Sequence, residues 1–321
     1  MTTRRRALGR GLDDLSHSSF TSLVEDLPMT GRAGDAVAEA HADAPMPASP
    51  ATLHVAAVTS GKGGTGKSVL ASNLGVLLSS PGPCTILDAD LCLANIHLMY
   101  GLSPSRTAAH LVSGEVSLED ALLEGPGGVR VIAGGSGIPE MAGLNAGRLK
   151  TLALALAPLE RSGGWLVVDM PAGLDRQSLL FLLAADQVLV VTTEDITALT
   201  DAYAVIKTLL SHQPDANLSL VVNQARTHEG ALEAYHRIAH VCRRFLGRDI
   251  GLAGIVPADP AVERSVASRR PLVLSDPHAA AARAIAAVAR QMPASAGAGP
   301  RTDGGFSSRF ARLVDGPLFN A

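Results

Sequence analysis

The stretch that decides the fold is Thr52-Leu-His-Val-Ala-Ala-Val-Thr-Ser60 followed directly by Gly61-Lys-Gly-Gly-Thr-Gly-Lys-Ser68. Its first part is mainly apolar from Leu53 to Val58, which predicts a buried β-strand. Its second part has the spacing Gly-x-x-x-x-Gly-Lys-Ser, and an apolar helix is predicted to begin at once after it. A strand, a glycine-rich loop and a helix in this order predict a loop that binds nucleotide phosphates.

The residue types of this loop suit phosphate chemistry. Glycines let backbone N–H groups point at phosphate oxygens without a Cβ in the way, and the helix N-terminus adds positive potential. We expect Lys67 to reach the β- and γ-phosphates of ATP and the Ser68 hydroxyl to be a ligand of Mg²⁺. The residues expected to contact the nucleotide are Gly61, Lys62, Gly63, Gly64, Thr65, Gly66, Lys67 and Ser68.

Beyond the loop, short apolar runs alternate with amphipathic or Ala/Leu-rich segments. Runs with little alternation suit strands that are buried on both faces, and alternating strands and helices predict an α/β fold with a doubly wound, mostly parallel sheet. The carboxyl ends of such strands share one edge of the sheet. Strands are predicted at 53–59, 85–90, 129–133, 165–169, 187–192, 218–223 and 252–256, and helices near 67–80, 147–160, 196–211, 228–246 and 276–292.

The two ends of the chain differ in composition from this region. Residues 1–50 are polar, with several arginines ahead of mostly acidic charges, and this pattern predicts a flexible arm. Residues 293–305 are rich in Gly, Ala, Ser and Pro and predict a linker. We therefore expect an arm at 1–50, a P-loop ATPase domain at 51–292, a linker at 293–305 and a tail at 306–321.

Composition narrows the class of protein. Of the 321 residues, 47% are hydrophobic and 18% are charged, which is enough apolar material for a sizeable core. The net charge of −3 gives no global basic field, so no specific nucleic-acid partner is expected. The three cysteines lack metal-ligand spacing and suit a reduced, cytoplasmic protein. The sequence contains no apolar run of 18 or more residues and no apolar signal segment.

The phosphate loop also carries a second lysine. The segment Lys62-Gly-Gly-Thr-Gly-Lys-Ser68 resembles the deviant Walker A motif of the MinD/ParA family of ATPases. In that family the extra lysine crosses the interface of a dimer with ATP sandwiched between its subunits, and it touches the partner's nucleotide. The resemblance implies that Lys62 acts in trans and that the ATP-bound protein is a homodimer.

The resemblance covers about residues 53–292 and extends to the other site motifs. Two carboxylates end one predicted strand in Thr85-Ile-Leu-Asp-Ala-Asp-Leu91, and this region looks like the family's switch I. The resemblance implies that Asp90 positions the attacking water and that Asp88 assists it, although the order of the two stays open. The strand Trp165-Leu-Val-Val-Asp169 is similar to the family's Walker B strand, so Asp169 would join the Mg²⁺ shell through water.

Three further positions are assigned by the same resemblance. Asn223 and Pro257 match the places where the family holds adenine, and an Asn side chain offers the base edge both a donor and an acceptor. The family usually has Thr or Ser directly after the Walker B aspartate, and here that residue is Met170. The chain therefore lacks one hydroxyl that its relatives have near Mg²⁺.

Two segments, Leu87–Leu102 and Val190–Tyr203, are similar to the flagellar-number regulator branch of the family (FlhG, FleN and YlxH). This implies a switch ATPase that controls flagellar number or placement, with the flagellar GTPase FlhF and flagellar basal-body or regulatory proteins as partners. One alternative is a MinD/ParA-like positioning ATPase for division sites, chromosomes or other polar cargo. Another is a metabolic enzyme, but we recognise neither the acceptor-binding insertions of a kinase nor the bridging cysteines of an iron–sulfur reductase.

The tail predicts a short amphipathic helix that is similar to the membrane-targeting helix of MinD-like proteins. We expect it to bind an anionic membrane surface reversibly at the inner face of the cell membrane, weakly in one copy and more strongly in the ATP-bound dimer. The alternatives are a disordered tail or a helix packed on its own domain, and the glycine-rich linker argues against rigid packing. The residues on its apolar face are Phe306, Phe310, Leu313 and Val314.

Overall fold

Eight strands form one sheet in the computed structural model, which describes residues 52–90, 94–135, 144–295 and 304–317, without the side chains of 293–295. The strand order is β3-β4-β2-β5-β1-β6-β7-β8, and every neighbouring pair is parallel except β3–β4. The strands are β1 (Leu53–Ser60), β2 (Cys84–Asp88), β3 (Leu122–Glu124), β4 (Arg130–Ile132), β5 (Gly164–Ala172), β6 (Gln187–Thr192), β7 (Leu218–Ala225) and β8 (Gly251–Pro257).

Helices cover both faces of this sheet. Leucine, isoleucine and valine side chains build one core beneath α1, α10 and α11 and a second core beneath α5 to α8 and α12. The helices are α1 (Lys67–Leu78), α2 (Ile96–Met99), α3 (Ala108–Ser113), α4 (Leu118–Ala121), α5 (Ala146–Ser162), α6 (Arg176–Ala184), α7 (Ile196–His212), α8 (His228–Val241), α9 (Pro260–Ala267), α10 (Leu272–Ser275), α11 (Ala280–Ser295) and α12 (Phe306–Asp315).

The register of the central strands brings the predicted site residues to one edge. Val58 of β1 and Asp88 of β2 both lie opposite Asp169 of β5. Because these strands are parallel, the segments that follow them leave the sheet at the same edge. The predicted doubly wound, mostly parallel α/β fold is confirmed.

The elements that the sequence pattern missed are short or lack a helical period. The edge strand β3 and the helices α2, α4 and α10 have three or four residues each, which is too few for a periodic signal. Helix α6 reads Arg-Gln-Ser-Leu-Leu-Phe-Leu-Leu-Ala and is buried at every position from Ser178 to Ala184. At the other end of the domain, α11 extends to Ser295, three residues into the predicted linker. The predicted arm at 1–50 lies outside the described residues.

The C-terminal helix α12 packs on its own domain, which corrects our expectation of a tail that stands away from it. Phe306, Phe310 and Val314 are buried, and Leu313 is half-buried. The ring of Phe310 lies 4.7 Å from the ring of Phe181 in α6, centroid to centroid. The glycine-rich linker does not prevent this packing. Burial of the apolar stripe against an apolar helix removes it from water, as burial in a lipid surface would, and is favourable for the same reason. The prediction that these four residues contact a membrane therefore does not describe this conformation.

Polar contacts fix the position of α12. Arg309 is only 5% exposed, and its guanidinium donates to the Ala184 carbonyl at 2.8 Å and to Asp186 Oδ1 at 2.6 Å. At the helix N-terminus, Glu160 Oε1 accepts the Ser307 N–H at 2.7 Å. Each charge of a buried ion pair depends on the other, since removal of one leaves the other unpaired away from water.

Among the described residues, no helix is both long and apolar enough to cross a membrane.

Candidate nucleotide site

The phosphate loop joins β1 to α1 with a backbone that requires glycine at two positions. Gly66 precedes the first residue of α1 with φ +85°, and a Cβ there would lie 2.3 Å from the Asn223 amide nitrogen. A Cβ on Gly61 would lie 2.3 Å from the Asp201 carbonyl group in α7. The first turn of α1 carries no acidic residue, so its N-terminal N–H groups keep their positive potential for an anion.

Two amide side chains from β7 hold this loop. Asn223 Nδ2 donates to the Thr65 carbonyl at 2.7 Å, and Gln224 Nε2 donates to the Gly64 carbonyl at 2.9 Å. Gln224 has a φ of +55°, which is uncommon for a residue with a Cβ. Asn223 was predicted at the base edge, and the structure adds a role for it in bracing the loop. Sequence reasoning missed Gln224, because a glutamine at a strand end has no spacing that marks it.

Asp169 lies three residues before the end of β5, and one of its carboxylate oxygens is unsatisfied. Its side chain is buried, and Oδ1 has no hydrogen-bond partner among the described residues. Burial raises the pKa of Asp169 to about 8, and the nearby Asp88 charge adds to this, whereas the Ser68 hydrogen bond and the Lys67 charge lower it. An orphaned carboxylate oxygen beside a hydroxyl is a set that suits a hard divalent cation such as Mg²⁺. Ser68 and Asp169 therefore fit the predicted metal roles.

Met170 belongs to the core on the other face of the sheet. It is 1% exposed and packs in the cluster that contains Leu166 and Val168, whereas Val167 belongs to the core beneath α1. Successive strand residues point to opposite faces, so Asp169 shares the α1 face. The absent hydroxyl is thus replaced by a side chain that serves packing.

Asp88 is buried at the end of β2 and organises the segment that follows. Its Oδ2 accepts the N–H groups of Asn95 at 2.8 Å and Ile96 at 3.0 Å, and its Oδ1 accepts that of Asp90 at 3.2 Å. Burial raises the pKa of Asp88 to about 6, although these backbone N–H groups oppose the rise. Both oxygens are therefore engaged with the backbone that leads into α2. Residues 91–93 of the predicted switch lie outside the described residues.

Lys62 lies on the solvent side of the loop. Its Nζ donates to Thr197 Oγ1 at the start of α7 over 2.9 Å, in an exposed contact. In a single subunit the side chain thus rests on its own α7. Sequence reasoning had given Thr197 no role, since its contact with Lys62 spans 135 residues of chain.

A cavity of about 760 Å³ extends from the loop toward β8. Its volume is in the range of small-molecule sites. The structure places both predicted adenine residues, Asn223 and Pro257, in its wall, and their contacts with a base stay a prediction. The loop and three helices also line the cavity, through Gly66, Val69, Val262 and Ile285.

Comparison with known proteins finds relatives that match most of the chain. The sequence model of the ParA family, described as "NUBPL iron-transfer P-loop NTPase", matches residues 51–119. The chain is 35% identical over 241 residues to the antiactivator FleN of Pseudomonas aeruginosa, which covers 75% of this chain and 86% of FleN. This chain belongs to the ParA/MinD family of P-loop ATPases. The resemblance predicted from the loop is therefore confirmed.

Other members of the ParA/MinD family match at similar levels. The flagellum site-determining protein YlxH of Helicobacter pylori is 30% identical, with 67% of this chain and 73% of YlxH covered. The structure of the Pyrococcus furiosus cell division ATPase MinD superimposes with a TM-score of 0.62 at 25% identity, over 75% of this chain and 98% of that one. ATP with Mg²⁺ is the cofactor set of this family of ATPases, and the geometry of the loop, Ser68 and Asp169 fits both.

Proposed function

We propose that this protein is a cytoplasmic switch ATPase that dimerises on ATP and controls flagellar number or placement. The observation that carries the switch mechanism is the position of Lys62, which rests on Thr197 of its own subunit at the rim of the site. The flagellum site-determining protein YlxH supports the cellular process, as does FleN, which belongs to the flagellar-number regulator branch that the sequence motifs resemble. FlhF and flagellar basal-body or regulatory proteins are the partners we propose on the same ground.

The described residues divide the work of hydrolysis. Lys67 and the loop N–H groups would hold the β- and γ-phosphates, while Ser68 and Asp169 would hold Mg²⁺. When bound, Mg²⁺ offsets the negative charge on the phosphate oxygens. Both oxygens of Asp88 accept backbone N–H groups, which supports Asp90 as the residue that orients the attacking water.

Dimerisation requires Lys62 to exchange one contact for another. Its hydrogen bond to Thr197 is exposed, so giving it up costs about 1 kcal/mol. A triphosphate on the partner subunit offers several charged acceptors in return, and hydrogen bonds to charged groups are stronger than neutral ones. Without ATP, Lys62 would therefore stay on Thr197 of its own subunit. With ATP, it would contact the nucleotide of the partner subunit.

Membrane association would require α12 to leave its site. We propose that the ATP-bound dimer releases α12 and that the freed stripe then binds the inner face of the membrane as a peripheral anchor. In the docked conformation the same residues cover Phe181, so one helix cannot satisfy both surfaces at once. Two released copies on one dimer would bind more strongly than one through effective concentration.

The test of the cellular function is replacement of FleN. The chain would be expressed in Pseudomonas aeruginosa that lacks FleN, and flagella per cell would be counted by electron microscopy. We expect the wild-type chain to restore the flagellar number and Lys67→Ala to leave it unrestored. An unrestored number with a wild-type chain that is expressed, folded and hydrolyses ATP would refute the flagellar role.

A second candidate function is a positioning ATPase for the division site. It is favoured by the chloroplastic septum site-determining MinD homolog of Arabidopsis thaliana, which is 32% identical over 234 residues, with 70% of each chain covered. The same cells distinguish the two proposals, because this role would shift septum position while flagellar number stayed unrestored.

A further inference from the structure

One part of the cavity wall is formed by an ion pair that none of the roles above uses. Glu194 follows β6 and Arg226 follows β7, and both line the cavity. Glu194 Oε1 accepts the Arg226 backbone N–H at 3.0 Å, and Glu194 Oε2 accepts its side-chain Nε–H at 3.2 Å. Both oxygens of one carboxylate therefore hold one arginine, at its backbone and at its guanidinium.

The contact fixes the orientation of the guanidinium without burying it. The Arg226 side chain is 76% exposed, whereas that of Glu194 is 15% exposed. An exposed ion pair contributes little to folding stability. A planar group that is held at Nε and left open to the cavity can instead present its face to a ligand.

The charges around it indicate which part of a nucleotide it meets. Among the described residues that line the cavity, Arg226 is the only basic one, and four carboxylates accompany it. Phosphates would be repelled here and would bind at the loop, where Lys62 and Lys67 lie. Arg226 is thus placed at the nucleoside end, with its charge balanced by Glu194. The four carboxylates belong to Glu194, Asp195, Asp259 and Glu263.

We propose that Arg226 stacks its guanidinium plane on the purine base of the bound nucleotide and that Glu194 is the residue that positions it. Guanidinium groups stack on flat π-systems and are less strongly hydrated than ammonium groups. Such a stacked guanidinium contacts only the face of the base, so it raises affinity for the nucleoside independently of the phosphates. The inference rests on the proposed nucleotide site and specifies how that site holds its base.

The experiment measures equilibrium binding of ATP, ADP and inorganic tripolyphosphate to the full chain by calorimetry. Arg226→Ala removes the plane and the charge, and Arg226→Lys keeps the charge alone. We expect both variants to lose about 5- to 10-fold in affinity for ATP and ADP, as suits one stacking contact, and to bind tripolyphosphate like wild type. Glu194→Gln should lose about 2- to 3-fold for ATP, because the plane is held less firmly.

Three results would overturn the inference: unchanged ATP affinity in Arg226→Ala, full affinity in Arg226→Lys, or an equal loss for ATP and tripolyphosphate. The last would mean that Arg226 binds phosphates. Lys67→Ala serves as the control for the site itself and should lose both ligands. If Lys67→Ala bound both like wild type, the proposed nucleotide site would fail, whatever Arg226 did.

Discussion

Charged groups at the two edges of the sheet differ in whether the chain itself supplies their partners. At the carboxyl edge, Asp169 keeps a carboxylate oxygen without a hydrogen-bond partner among the described residues, and the Lys62 ammonium donates to Thr197 in an exposed contact. At the amino edge, Asp186 accepts hydrogen bonds from Arg309 and from the Val55 N–H, and Arg309 also donates to Ala184. The Asp169 oxygen needs a ligand, whereas the charges of Asp186 and Arg309 are paired within the chain.

Strand β6 connects these two edges. Asp186, which binds Arg309, directly precedes it, and its other end leads to Glu194 and Thr197. Because no described polar contact is shared between the two edges, a substitution can change the ligand site or the docking of α12 directly without touching the other. Substitutions that change one edge at a time test this difference.

Lys67→Ala should have the largest effect, because it removes the one lysine placed for the β- and γ-phosphates. We expect ATP affinity to fall on the order of 100-fold or more and phosphate release to stop. Isothermal titration and a phosphate-release assay measure these two quantities. Lys62→Ala is the matched control from the same loop and should still bind ATP as a monomer. Normal turnover by Lys67→Ala would contradict the ATPase mechanism.

Asp90→Ala should separate binding from hydrolysis. Loss of a residue that orients water should lower the rate of phosphate release by about 10²- to 10³-fold, with ATP affinity unchanged. Asp88→Asn should instead lower the thermal midpoint, because a carboxylate that accepts three backbone N–H groups is weakened. If Asp88→Asn lost only turnover and Asp90→Ala kept it, the roles of the two would be reversed.

Arg309→Ala should weaken the docking of α12 at the amino edge of the sheet. The change leaves Asp186, whose side chain is only 13% exposed, without its cation, which should weaken docking of α12 by about 3–5 kcal/mol. We expect faster hydrogen exchange of residues 306–315 and association with anionic liposomes even in the presence of ADP. ATP affinity should not fall, and the ATP-bound dimer should form more readily because it no longer has to undock α12.

Phe310→Glu is the paired variant for this edge. It should also release α12, because a carboxylate cannot remain against Phe181, but it should abolish liposome association through the cost of burying the charge. Liposome co-sedimentation with ATP and with ADP distinguishes the variants. Equal sedimentation of Arg309→Ala and Phe310→Glu would rule out the membrane role of the stripe.

Thr197→Ala should have the smallest effect. It removes the resting contact of Lys62, so the dimer should form about two- to fivefold more readily with ATP. Light scattering of the Asp90→Ala background with ATP gives the dimer affinity. Weaker dimerisation than in that background would show that Thr197 supports the interface and does not compete with it.

Sequence alone could predict what depends on neighbouring residues. The loop, the strand before it and the helix after it are contiguous, and the ends of parallel strands bring Asp88 and Asp169 together by topology. Contacts across long separations gave no local signal: Arg226 lies 32 residues from Glu194, and Arg309 lies 123 residues from Asp186. The apolar stripe of α12 was recognised, but a stripe does not specify whether protein or lipid covers it.

The late position of α12 in the chain has a consequence during synthesis. Helices α5 and α6 are complete more than a hundred residues before the segment that covers them has been made. At translation rates of about 5–20 residues per second, Phe181 and the carboxylate of Asp186 stay uncovered for several seconds until α12 has been synthesised. A chain that ends before α12 would keep this apolar face exposed permanently. The exposed face of α5 and α6 would thus mark a chain on which α12 has not yet docked.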